Sequence, residues 1–336
     1  MSENESALFE QQYDALRSSG GMVALPDWSS VSLTGADRQQ FLHNFCTNDI
    51  KWLLPGTNCE EYITNVKGKI VAHVLATCRD EELVLLGAPQ QGQRLVEHLD
   101  RYIIREDVRL LDTTAERSYL LVAGDDTARA RCDRIARIAD NSQLIQSLAN
   151  APATIAGKPV QIIDWPLIGS EFKCLIELRF DDSPVIVNHL VKQGFVECGP
   201  QAWTAARIES GMPLFGMDFD EQNLPQEVGR DAQAISFTKG CYLGQETVAR
   251  IDALGHVNQR LAGVWFFGEK VPAAGTALVL GDASVGRVTS AAFSPRLNAP
   301  LALAMVRREA NAPGTSLEST VGACEVVTLP LESRGG

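Results

Sequence analysis

The sequence predicts an α+β fold, with a mixed body over residues 1–255 and a C-terminal antiparallel β-barrel over residues 258–330. Three observations carry that reading. Up to about residue 255, stretches of helical periodicity alternate with short apolar runs joined by tight turns, which implies mixed layers rather than a regular βαβ array. Beyond it, short β-type runs follow one another between turns rich in Gly, Pro and Asn. The 336 residues are enough for two or three domains at roughly 100–200 residues each.

In chain order, residues 6–17 read as an amphipathic helix closed by Gly20-Gly21 as its C-cap. Residues 31–35 form a short strand and turn. Residues 37–44 follow as a helix whose apolar face is Phe41, Leu42 and Phe45, and Thr47-Asn48-Asp49 ends it. Residues 61–76, broken at Lys67-Gly68-Lys69, read as two strands about a tight turn, with 83–86 as a third. Residues 92–102 are helical, with Leu95, Leu99 and Tyr102 spaced for burial. A strand at 118–123, a charged helix at 128–137 and a strand at 175–180 come next. Trp203, Arg207 and Glu209 share a helix. Residues 234–237 read as an apolar strand running into a turn and a short helix. The barrel strands fall at 261–267, 277–280, 286–292 and 301–307.

Composition narrows the function. Hydrophobic residues make up 45% and charged residues 21%, as in ordinary globular proteins. A net charge of −12 argues against direct nucleic-acid binding, which rests mainly on clustered Lys and Arg. No run of 18 apolar residues predicts a membrane span. Residues 1–19 carry Glu3, Glu5, Glu10 and Asp14 without a basic start or an apolar core, which is neither a secretory nor a transit signal, so the expected location is cytoplasmic. The eight cysteines form no CxxC pair, and with the five histidines they make no cluster at metal-ligand spacing. No resident metal is expected, nor a permanent iron–sulfur cluster held by this chain alone.

The segment Lys239-Gly240-Cys241-Tyr242-Leu243-Gly244-Gln245-Glu246 carries the most chemistry. It sets one cysteine among glycines, beside a lysine, at the start of a helix. A helix N-terminus and a nearby cation favour thiolate, the nucleophilic and metal-binding form. Each residue also has a structural reading. The cysteine can be buried in a turn, Lys239 can neutralise that turn, and Arg250 can be a surface residue. Asn48 and Asn65 are typical turn residues, Trp203 is a natural core residue, and Glu209 can pair within its own helix.

Together with Trp203-Thr-Ala-Ala-Arg-Ile-Glu-Ser-Gly-Met-Pro213, Phe215-Gly-Met-Asp-Phe219 and Asn223-Leu-Pro-Gln-Glu227, this segment resembles the YgfZ/IBA57 folate-binding family, which is related to aminomethyltransferase, the glycine cleavage T-protein. Leu33-Thr-Gly-Ala-Asp37, Asn65-Val-Lys-Gly-Lys-Ile70 and Gly286-Arg-Val-Thr-Ser290 extend the resemblance over residues 22–330. It implies a multi-lobed, T-protein-like body around a cavity of tetrahydrofolate size. The implied function is a tetrahydrofolate-binding accessory factor for assembly or repair of iron–sulfur proteins, including tRNA-modifying ones. Its partners would be iron–sulfur assembly proteins and client enzymes. Cys241 and Lys239 would carry the chemistry, and Glu209, Trp203, Arg207, Asn65 and Arg250 would hold the folate. Where aminomethyltransferase has an Asp-Asp pair after its turn, this chain has Ala72 and His73, and Gly87 stands where that enzyme has a folate-binding asparagine. Methylene transfer needs a positioned acid–base group, so the transferase is the rival reading. A folate-sensing scaffold without chemistry is another.

Overall fold

A computed structural model describes residues 3–138 and 150–331. Two sheets and a closed barrel organise it. The five-stranded sheet runs in the order Asn58–Thr64, Ile70–Cys78, Leu83–Pro89, Trp28–Thr34 and Arg109–Asp112. The seven-stranded sheet runs Val196–Glu197, Gly21–Leu25, Arg117–Gly124, Phe172–Arg179, Lys158–Ile163, Asn150–Ile155 and Arg137–Ile138. The barrel closes through Gln259–Phe266, Ala299–Arg307, Ala283–Ser294, Ala277–Leu280, Ser316–Ser319 and Gly322–Val327. The α+β class with its antiparallel barrel is as expected.

Strand Ile70–Cys78 is buried along its whole length because both faces of its sheet are covered, hence its nearly continuous apolar sequence. Ala72, Val74 and Ala76 pack with Phe41, Leu42, Leu95 and Leu99 from the two flanking helices. Leu75 faces the other way, into a core with Trp28, Tyr119, Trp165 and Trp203. Alternation along the strand puts His73 on the Leu75 face, at the seam between the sheets. An ionic ring crosses the same seam. Arg79 and Arg117 each bond both Glu82 and Glu177, at 2.8–3.1 Å.

Several local expectations are corrected. Residues 234–237 are not a strand. Ala234 closes the short helix Asp231–Ala234, and the chain then crosses as a loop held by Ser236 N donating to Thr47 O. The charged helix stops at Ile135, after an N-terminus capped by Asp125, and Arg137 pairs in the sheet instead. The first helix spans Glu3–Asp14, continues as a π-turn over Ala15–Ser19 and ends at Gly20 with φ +106°. Strands Asn150–Ile155 and Lys158–Ile163 were hidden by Pro152 and Pro159, residues that weaken a strand assignment. Helix Ser183–Lys192 was hidden by its β-branched run Val185-Ile186-Val187.

Candidate functional site

The Cys241 loop is fastened to the first half of the chain at both of its ends. Thr47 Oγ1 donates to Ala234 O at 2.6 Å, Leu243 N donates to Asn44 O at 2.9 Å, and Thr64 Oγ1 donates to Leu243 O at 2.6 Å. Gly244 starts helix Gln245–Leu254 with φ +84°, and a Cβ there would stand 2.3 Å from Asn65 O and 2.8 Å from Gly68 Cα. Two glycine-bearing turns, 65–69 and 240–244, therefore touch backbone to backbone. Asn65 shapes the first of them, its Oδ1 accepting from Lys67 N and Lys69 N.

Lys239 is buried, and its ammonium donates to three carbonyls, those of His43 at 2.8 Å, Cys46 at 2.7 Å and Asn48 at 2.8 Å. These carbonyls lie at and just beyond the C-terminus of helix Arg38–His43, where a cation is favoured. The lysine thus anchors the loop through its ammonium, lying 4.8 Å from the Tyr242 ring centre. Cys241 itself is exposed, whereas the other seven cysteines are buried or half-buried. Arg250 is exposed on the following helix.

Beneath the loop lies a buried carboxylate, Glu61, that the sequence reading passed over. Neither of its oxygens has a hydrogen-bond partner among the described residues. Burial pushes its carboxyl up to about 8, with the Cys46 thiol and the Lys239 ammonium partly offsetting that.

A second polar cluster fills the seam between the sheets. Glu60 accepts from His73 Nε2 at 2.8 Å, from Arg230 Nη2 at 2.6 Å and Nε, and from Trp165 Nε1 at 3.2 Å. His73 stacks on Tyr62 with ring centres 4.9 Å apart. Burial alone would raise the Glu60 carboxyl, but the hydrogen bonds from Arg230 and His73 hold it well below the ordinary carboxylate range. Asn48 links this cluster to the loop, since its Nδ2 donates to both Glu60 O and Gln233 O at 2.9 Å while its own carbonyl accepts from Lys239. The signals were present in the sequence: His73 interrupts an apolar strand, and Glu60-Glu61 sits in another. Single polar residues in strands are too common to single out without the contacts.

The residues expected on the folate fall into two sets that share no hydrogen-bond partner among the described residues. Asn65 and Arg250 belong with the Cys241 loop. Trp203, Arg207 and Glu209 lie on helix Pro200–Glu209, and all three are buried. Trp203 joins the core. Arg207 Nη1 pairs with Asp218 Oδ2 at 2.8 Å, and Asp218 Oδ1 accepts from Thr289 and Ser290 of the barrel. Glu209 Oε2 accepts from the Tyr13 hydroxyl and Oε1 from the Ser294 hydroxyl, each at 2.6 Å. Burial and the Glu209 charge push the Tyr13 hydroxyl far up, so it stays a donor. A cavity of about 910 Å³ lies beside Tyr13, between the first helix and the barrel. Glu209 does not line it, and the charged residues of its lining, among the described residues, are Glu10, Asp14 and Glu269. No described helix is long and apolar enough to cross a membrane.

Residues 2–239 match the family model described as the GCVT N-terminal domain, and residues 260–331 match the glycine cleavage T-protein C-terminal barrel domain. An aminomethyltransferase of Streptomyces avermitilis is 27% identical, over 95% of this chain and 88% of that protein. The tRNA-modifying protein YgfZ of Yersinia pseudotuberculosis is also 27% identical, over 76% of this chain and 73% of that protein. The crystal structure of the glycine cleavage system aminomethyltransferase T from Bartonella henselae superposes with a TM-score of 0.80, covering 96% of this chain and 89% of that one, at 17% identity. That likeness speaks for the fold.

Proposed function

The chain belongs to the folate-binding GCVT family, and from that premise we propose that it is a tetrahydrofolate-binding accessory factor for the assembly or repair of iron–sulfur proteins. Cys241 supplies the thiol chemistry in this reading. The observation that carries it is that Cys241 alone of eight thiols is exposed, on a loop that Gly244 and Lys239 hold against the first half of the chain. An accessible thiol held in one place serves as a transient ligand to iron or as a carrier of a persulfide. Iron–sulfur assembly proteins and client enzymes, including those that modify tRNA, are its partners, and the cytoplasm is its place.

Transfer of an aminomethyl group is disfavoured by the chemistry at the seam. His73 stands where the transferase carries a carboxylate, and the carboxylate that reaches His73, Glu60, is tied down by Arg230. A carboxylate so stabilised in its charged form is a poor proton acceptor. Aminomethyl-lipoyl donor mixed with tetrahydrofolate should yield no methylene-tetrahydrofolate, and turnover would restore the transferase reading.

For folate, Glu209 offers a fitting acceptor. Its two oxygens already receive two separate donors, the arrangement that the paired N–H groups of a 2-aminopyrimidinone edge supply. The pterin would replace both the Tyr13 and the Ser294 hydroxyls as donors to Glu209, and the reduced ring would supply the one-carbon or redox chemistry of the cofactor. Isothermal titration tests this with two opposed variants. Glu209→Gln should weaken tetrahydrofolate roughly tenfold or more, by losing a charged acceptor. Tyr13→Phe, which removes one competing donor, should tighten it. Binding unchanged in both variants assigns Glu209 to the fold alone, and no binding by the wild type overturns the folate assignment.

A further inference from the structure

We propose that the cleft where the body meets the barrel is a binding site for a small zwitterionic α-amino acid, its ammonium held by Gln226 and Asp231 and its carboxylate by Arg260 and Arg308. The cleft has a volume of about 390 Å³, near the lower end of small-molecule sites, which suits a guest smaller than a cofactor.

Its floor carries two orphaned acceptors. Gln226 is buried, and its Nε2 donates to Val248 O at 2.7 Å. That bond fixes the amide, because the flipped orientation would set two oxygens against each other. It leaves Oε1 buried without a donor among the described residues. Asp231 Oδ2 lies 3.6 Å from Arg260 Nη2, while its Oδ1 is buried and also without a donor. Leaving a buried acceptor unpaired is costly, so two in one cleft point to a donor-rich guest. Burial raises the Asp231 carboxyl; Arg260 lowers it in part, and the charge of Asp252, also in the lining, raises it further. A cation in the cleft relieves that repulsion.

An ammonium brings three N–H donors and one positive charge, which matches this floor. On the barrel side, Arg260 and Arg308 line the same cleft and are exposed at its rim, presenting planar forks suited to a carboxylate. The two charges of one α-amino acid thus answer the two walls, and the guest bridges the body to the barrel just beyond helix Gln245–Leu254. None of these residues belongs to the proposed folate or thiol chemistry, so this site stands or falls separately.

The test is isothermal titration of the full chain with L-alanine and L-serine, with ethylammonium and propionate as single-charge controls. The expected result is saturable binding of the amino acids and none of either control. Asp231→Asn should weaken binding about tenfold or more, the loss of a charged acceptor. Arg308→Gln, at an exposed position that leaves the fold intact, should weaken it several-fold. Three results would each overturn the proposal: no heat from either amino acid, equal binding of a single-charge control, or unchanged affinity in both variants. The first of them leaves bound water as the partner of the two orphaned acceptors.

Discussion

Exposure separates Cys241 from the other thiols. Burial pushes Cys198 and Cys324 up to about 12, and Cys46 and Cys59 are raised as well. A thiol that is both shielded and protonated reacts slowly. Alkylation of the native protein, followed by mass spectrometry, should therefore label Cys241 first and the others only as the chain unfolds. Equal labelling of a buried cysteine would show that the loop does not set reactivity. Glu61 gives a second residue-level test. Its folded carboxyl titrates near 8, above the ordinary value of about 4.3, so the native state holds a proton that the unfolded state releases. Its contribution is fully present below about pH 4 and is lost as pH rises toward 8, by up to about 1.4 kcal/mol per pH unit. Urea unfolding from pH 5 to 8 should show that decline, and Glu61→Gln should flatten it. A parallel decline in both proteins would assign the pH dependence to other groups.

The loop-to-turn contact is the element on which the proposed site depends. Gly244→Ala places a Cβ 2.3 Å from Asn65 O at φ +84°, so it must pull the two turns apart or distort the helix start. Backbone strain of that kind costs about 1–3 kcal/mol. Gly240→Ala is the matched control, since nothing lies within 4 Å of its Cβ and its φ is not positive. We expect the first substitution to lower the unfolding midpoint and quicken amide exchange over residues 239–247, with the second close to wild type. Equal effects would mean that the glycines are interchangeable spacers. This contact was half legible in the sequence. Gly68 and Gly244 each announced a turn, but nothing local says that two turns 176 positions apart meet. Lys239 is a similar case. Beside Cys241 in sequence it read as an activating cation, and only the fold shows its ammonium turned toward His43, Cys46 and Asn48.

Across the whole molecule, what was legible followed from periodicity and turn chemistry: the mixed body, the barrel and the helix with Phe41 and Leu42 on its apolar face. What was not legible depended on long-range pairing. The Glu60–His73–Arg230 cluster joins two strands of one sheet to a residue 170 positions away from Glu60, and the Arg79–Glu82–Arg117–Glu177 ring joins one sheet to the other. Neither set of contacts follows from local periodicity, because each joins residues that are far apart in sequence. Whether Cys241 does the work of the protein is measured most simply in cells lacking their own copy of this chain. Wild type or Cys241→Ser is supplied at matched abundance, and the activity of an iron–sulfur dehydratase is followed under oxidative stress. The account predicts that wild type restores the activity and that Cys241→Ser, although folded, does not; full restoration by Cys241→Ser would contradict it.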